Sequence, residues 1–287
     1  MAVKRPPFWP AAANERAMTQ KRMPAAFFGH GSPMVAIQDN EVSRTWREVA
    51  RMTPKPRAIL MISAHWETGG SAVTAMARPR TIHDFGRSFP KALFDAQYPA
   101  PGDPALARRV QELLSPTPVA LDEGNWGLDH GAWSVLTHLY PKADVPVVQL
   151  SLDVRLSPEA RLDLGARLRP LRDESVLIIG SGNIVHNLQT LDWSEARGRP
   201  FDWAERFNDE MRRAVVEDDP EIAAAFATLG QDAVLSAPTP EHFWPFLYIL
   251  GVRQHGDQPT LFNDWIEHGS LGMMSFVLAP PAAENAV

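Results

Sequence analysis

Short apolar runs alternate along the chain with longer segments of helical period. Residues 24–29 (PAAFFG), 57–64 (RAILMISA), 145–152 (VPVVQLSL) and 175–181 (SVLIIGS) are almost continuously apolar. Runs of that length and composition predict strands buried on both faces. Residues 70–77 alternate more and predict a further strand, and 270–279 predict a closing one. Between them, residues 41–52 place Val42, Trp46 and Val49 on one helical face. Residues 103–114 predict a helix with Asp103 at its cap and Pro104 at its first position. Further helices are expected over 130–140, 157–172 (opened by Ser157 and Pro158), 202–217 and 220–229. Alternating strands and helices with wholly apolar strands predict the α/β class. The expected architecture is a single domain with a central, mostly parallel sheet flanked by helices.

The expected domain covers residues 23–279, with an N-terminal extension over 1–22 and a C-terminal tail over 280–287. The extension has no apolar core of the signal-peptide kind and is interrupted by Pro6, Pro7 and Pro10. No apolar run approaches the roughly 20 residues that cross a bilayer. The chain has 287 residues, 45% of them hydrophobic, which is ample for one large core. Its formal net charge is −6, with no long basic run, so nucleic acid is excluded as the expected partner. There is no cysteine. That removes disulfides and thiolate metal sites, fits a cytoplasmic protein, and leaves His, Asp and Glu as the only side chains for a tight metal site.

Three apolar runs end the same way. "AAFFGHGSP" places His30, "AILMISAHW" His65 and "LIIGSGNIVHN" His186 at or just past a strand end. Ligands of open α/β sheets bind beyond the carboxyl ends of strands, so distant segments can converge there. Taken singly, a histidine after a strand is more often a hydrogen-bonded structural residue, and no local spacing matches a metal motif such as HExxH. His242 lies in "PTPEHFWPF", where Thr239 is a candidate cap and Pro240 a first helical residue, although Pro245 can instead mark the start of the regular helix. The plainer reading of His242 is a surface histidine at a helix start. His130 follows Asp129 and precedes Gly131, and His83 precedes Asp84; each alone reads as a loop residue. His138, His255 and His268 are assigned to structure or solvent.

The stretches "FFGHGSPM", "SAHWET", "TIHDFG", "YPAPGDP", "WGLDHGAW", "PVVQLSLD", "GSGNIVHNL" and "PTPEHFWPFLYILG", in this order, resemble the class III extradiol ring-cleavage dioxygenase superfamily. The resemblance is nearest to its 4,5-DOPA extradiol dioxygenase branch and covers nearly all of residues 23–279. It implies one divalent metal ion per chain and the opening of a catechol ring beside one hydroxyl by molecular oxygen. Fe(II) is expected for oxygen chemistry, with Zn(II) as the other candidate. The motifs carry His30, His65 and His242 over as metal ligands and His186 as a fourth ligand or the acid/base. His130 becomes an acid/base and substrate contact, joined by His83 and Ser32. More distant members use two histidines and a glutamate; here the third position is His242, with Glu241 beside it. Two histidines and a carboxylate suit non-haem iron, whereas a set of neutral histidines suits zinc equally well.

The expected partners are therefore a small aromatic diol and oxygen, acting on a monomer or small homo-oligomer. Gly31 and Gly182 would let backbone approach the site. Asn183 and Asn187 would orient the His186 ring. Trp66, Phe85 and Trp133 would wall in a flat ring, where they are not plain core packing. Two other readings stay open at this point: a zinc hydrolase using a metal-bound water, and a binding protein that keeps a metal for stability.

Overall fold

The computed structural model describes residues 22–281 apart from 195, 196 and 198. The strands are β1 (Ala25–Gly29), β2 (Ala58–Thr68), β3 (Ser71–Thr74), β4 (Val119–Asp122), β5 (Val147–Asp153), β6 (Val176–Gly182), β7 (Gln258–Phe262), β8 (Ile266–Glu267), β9 (Leu271–Gly272) and β10 (Ser275–Ala279). Eight of them form one sheet in the order β4-β3-β5-β2-β6-β1-β10-β7. The centre, β5-β2-β6-β1, is parallel throughout. The β3–β4 pair is also parallel, but β3 joins β5 antiparallel, as β10 joins β1 and β7 joins β10.

The sheet has a core on each side, which explains the unbroken apolar runs. Successive strand residues point to opposite faces. Phe27, Leu60, Ile62, Val148 and Ile178 pack with Phe207, Phe246 and Leu250 on one side. Phe28, Ile59, Met61, Val147 and Ile179 pack with Trp46, Trp133 and Leu136 on the other. Helices 104–114, 158–167, 202–216 and 244–252 contribute to the first face, and 41–52 and 130–139 to the second.

Several expected elements differ in extent. β2 runs on to Thr68, so His65 lies inside a strand, just where its pairing with β5 is interrupted between Ile62 and Glu67. The helix expected over 157–172 breaks into Pro158–Arg167 and Pro170–Asp173, because Pro170 has no N–H to continue the ladder. The one over 220–229 is a short α-helix, Pro220–Ala224, followed by a 3-10 turn, Phe226–Leu229. The closing strand is split into β9 and β10. β4 and β7 were not anticipated: β4 has only four residues, and β7 is a half-buried edge strand containing Pro259. Thr239 does not cap; its hydroxyl donates to Glu241. Pro240–His242 form a 3-10 turn and the regular helix begins at Trp244, beside Pro245.

The N-terminal extension lies outside the described residues except for its last member, Arg22, which donates to Gln254 and to Asp257. Most of the tail, from 282, is likewise outside them. Among the described residues, no helix is long and apolar enough to cross a membrane.

Candidate active site

Five histidines converge at the carboxyl end of the parallel centre. His30 follows β1, His65 lies in β2, His186 follows β6, His242 ends the 3-10 turn, and His130 opens helix His130–Leu139 under the cap of Asp129. Backbone contacts hold three of these segments together. The His30 N–H donates to Gly182 O at 3.0 Å, and the Asn183 N–H donates to His242 O at 2.9 Å. A β-carbon on Gly182 would sit 2.1 Å from that same His242 carbonyl, so only glycine permits the approach. Gly31 takes a left-handed φ of 62°, which turns the chain away directly after His30.

The rings of His30, His65 and His242 stand 4.9–5.3 Å apart, centre to centre. One ring nitrogen from each falls within 4.8 Å of the others. Their outer nitrogens each face a polar neighbour. His30 Nδ1 is 2.8 Å from Ser181 Oγ, whose own proton goes to Gly131 O at 2.6 Å. The serine oxygen is therefore the acceptor, His30 carries its proton on Nδ1, and Nε2 presents a lone pair. His242 Nδ1 lies 2.9 Å from Glu241 Oε1, a carboxylate oxygen that only accepts, and His65 Nδ1 faces Asp84 Oδ2 at 3.6 Å, an electrostatic contact longer than a hydrogen bond. His30 Nε2 and His65 Nε2 end 3.3 Å apart. His30 Nε2 presents a lone pair there, which a proton on His65 Nε2 or a cation between the two nitrogens would engage; this donor set fits a divalent metal.

Burial, reinforced by the neighbouring rings, holds His30 and His242 well below the ordinary histidine range. Burial brings His65 down to about 3 and His186 down to about 4. All four are neutral at pH 7, the form in which imidazole binds metal or accepts a proton. Beneath them, burial and the nearby Asp84 charge push Asp129 up to about 6. Asp129 accepts from Ser63 Oγ at 2.7 Å and from Gln149 Nε2, which braces the start of the helix that carries His130.

The other two rings sit against this set. His186 stacks on His242 with centres 3.5 Å apart, and His130 lies 3.8 Å from His65. The cleft above has a volume of about 1090 Å³ and is walled by Phe85, Phe89, Leu191 and Trp193 besides the histidines. Ser32 lines it as well, its Oγ accepting from the Met34 N–H at 3.3 Å.

Some expected residues lie elsewhere. His83 is not in the cleft wall; its Nε2 is 2.8 Å from Ala96 O and its ring packs near Trp133. Trp66 stacks on Trp126, and buried Trp133 donates to Ile82 O, so of the three aromatic walls only Phe85 faces the cleft. Asn183 and Asn187 do not orient the His186 ring. Asn183 bridges the Gly31 N–H and Gly272 O, and Asn187 bridges Leu235 O and the Gln189 N–H. His138 is structural, its Nε2 being 2.8 Å from Val35 O, whereas His268 reaches the cleft mouth. Sequence reasoning gave no role to Ser181, Asp84 or Glu241. The last two were signalled only by their adjacency to His83 and His242.

Known proteins match the chain along most of its length. The family described as "Catalytic LigB subunit of aromatic ring-opening dioxygenase" matches residues 24–262. The chain is 46% identical to "4,5-DOPA dioxygenase extradiol" of Escherichia coli K12, over 90% of this chain and 95% of that one. It is 39% identical to "4,5-DOPA dioxygenase extradiol" of Beta vulgaris, over 83% and 90%. The crystal structure of an uncharacterized protein from Escherichia coli K12 superposes with a TM-score of 0.78 at 40% identity, covering 90% of this chain and all of that one. These matches do not favour the zinc hydrolase reading. With its histidine-lined cleft at the end of a parallel sheet, the chain belongs to the LigB family and is an extradiol aromatic ring-cleaving dioxygenase.

Proposed function

We propose that the chain opens a catechol through a divalent metal held by His30, His65 and His242, with His186 and His130 handling protons and substrate. The observation that carries this reading is the convergence of one ring nitrogen from each of three histidines, each with its outer nitrogen facing a separate polar neighbour. A bound ion supplies Lewis acidity toward two adjacent phenolic oxygens, and iron(II) adds the electron transfer that oxygen chemistry needs and zinc lacks. Three neutral imidazoles accept either metal, so Fe(II) is inferred from the reaction, not from the donor set.

The remaining work falls to the protein. A catechol must shed protons to chelate. Among the described residues, no hydrogen bond engages the ring of His186, and burial keeps it neutral. It therefore meets the substrate as a proton acceptor and is available to return the proton later. His130 stands beside His65 with its Nδ1 against Asp84, so its Nε2 is the free nitrogen. Phe85 and Phe89 offer edges and faces to a planar ring. His186 as a fourth metal ligand is the second role compatible with its stacking on His242.

The substrate class is a catechol bearing a side arm, DOPA-like in size. The relatives are named for DOPA, and a cleft of about 1090 Å³ is far larger than a single ring requires. Ser32 lines the same cleft and is assigned in this reading to contact that substrate. The chain has no cysteine and acts in the cytoplasm in this reading, as a monomer or small homo-oligomer. Oxygen uptake and ring-opened product, measured for an iron(II)-loaded protein with a catechol and its monomethyl ether, test the proposal. Cleavage of the catechol alone is expected, because the ether forfeits one metal bond. Comparable cleavage of both would overturn chelation.

A further inference from the structure

One carboxylate touches two of the five histidines. Asp84 Oδ1 accepts the backbone N–H of His130 at 2.8 Å and lies 3.0 Å from the Nδ1 of the same residue. Its other oxygen lies 3.6 Å from His65 Nδ1. His130 Nδ1 is closed off from solvent and has no aligned hydrogen-bond partner, so the Asp84 carboxylate at 3.0 Å is the acceptor nearest to it. A buried ring N–H without an acceptor costs about 1–3 kcal/mol, so this nitrogen needs the carboxylate beside it. Asp84 itself lines the cleft and sits next to Phe85, which walls it.

We propose that Asp84 is a positioning residue that sets the tautomer and orientation of His65 and His130 together. The inference rests on the reading of His65 as a metal ligand. An ionised carboxylate accepts and never donates, so it favours a proton on the Nδ1 of each ring and a bare Nε2 turned inward; in His65 this competes with donation from Nε2 to His30 Nε2 at 3.3 Å. His30 and His242 have private partners in Ser181 and Glu241, whereas His65 and His130 share one. A change at Asp84 therefore disturbs the metal side and the substrate side of the site at once. An amide at this position has one accepting and one donating end. If its oxygen stays with the His130 N–H, its NH2 faces His65 Nδ1. His65 then must accept there, and its proton moves to Nε2, where a metal bond would form.

The test uses the metal-free full chain labelled with 15N in its histidines. Long-range proton–nitrogen spectra assign each tautomer, with His65→Gln and His130→Gln identifying the signals. Wild type should show His65 and His130 protonated at Nδ1. Asp84→Asn should move His65 to the Nε2 form and weaken zinc binding, measured by chelator competition, by about 10–100-fold. Asp84→Glu should keep the wild-type tautomers. An Nε2-protonated His65 in wild type overturns the inference without any variant having to fold. So does a folded Asp84→Asn protein with unchanged tautomers. If instead His65→Gln binds zinc as tightly as wild type, the ligand assignment fails, while the tautomer spectra still decide the role of Asp84.

Discussion

The floor of the cleft and its rim are built on opposite terms. On the floor, His30 and His242 are buried, tied through backbone to β6 and the turn after it, and anchored through their outer nitrogens. On the rim, Leu188 is 57% exposed and Trp193 75% exposed, and Arg197 reaches across to Glu41 at 3.0 Å through an ion pair open to water. Such a pair is worth at most about 1 kcal/mol. The floor spends buried polar groups on fixing a few nitrogens, and the rim leaves apolar side chains in water. The difference separates two demands: metal and oxygen chemistry tolerates little displacement, whereas admission of a substrate needs a surface that can adjust.

The contrast is broken most severely at the floor. Replacing His30, His65 or His242 by alanine is expected to bring both metal uptake and ring opening to background, read by metal analysis and oxygen consumption. A fully active variant at any of them would remove it from the ligand set. Next come the two rings beside that set. His130→Phe should lower kcat by about 10²–10⁴-fold while metal content stays near wild type, as expected of a group that moves protons. Equal loss of metal and turnover would make His130 a ligand instead. Gly182→Ala tests the backbone seam without touching a histidine. Its β-carbon would collide with His242 O, so a loss of about 1–3 kcal/mol in chemical denaturation should accompany weaker metal binding.

A milder change lies away from the floor. Burial alone would raise the Asp122 carboxyl, but bonds from the N–H groups of Asn125, Gly124 and Trp126 outweigh it and lower its pKa. A depressed carboxyl stabilises above its unfolded value of about 3.9, and that contribution disappears as pH falls through the folded value. Asp122→Asn should therefore cost about 1 kcal/mol at pH 7, with the gap to wild type closing below pH 4 in urea titrations. A gap independent of pH would assign the effect to shape, not charge. At the rim, Leu188→Ala and Trp193→Ala should leave stability within about 0.5 kcal/mol. They should shift KM for bulky catechols more than for catechol itself. A collapse of kcat there would mean that the rim belongs to the chemistry.

The strands of the parallel centre were legible because both of their faces are buried, which writes an unbroken apolar run into the sequence. The strands β4 and β7 were not, being short or half exposed at the sheet edges, where composition carries little signal. His30, His65, His186, His130 and His242 were identified by their placement and motifs together, and the structure brings them to one cleft. His83 shared the motif but not the destination, since its ring turns to Ala96 O. The supports of the histidines were the least visible. Ser181 looks like any strand serine, and Asn183 and Asn187 look like natural ring partners until the backbone shows them bracing loops. Side-chain direction at strand ends depends on turns that periodicity does not encode.

The order of segments in the sheet has a consequence for biosynthesis. β1, which leads to His30, is wedged between β6 and β10, so the earliest-made strand of this sheet waits for the latest. His242 arrives late too, and the seam at Gly182 closes only with it. A nascent chain thus carries early histidines with no finished pocket, and an apolar strand with no neighbour, until β6, His242 and β10 have been made. Capture of a metal in the proposed site would then wait until His242 and β10 have been made, exposed to whichever ions are free at that moment.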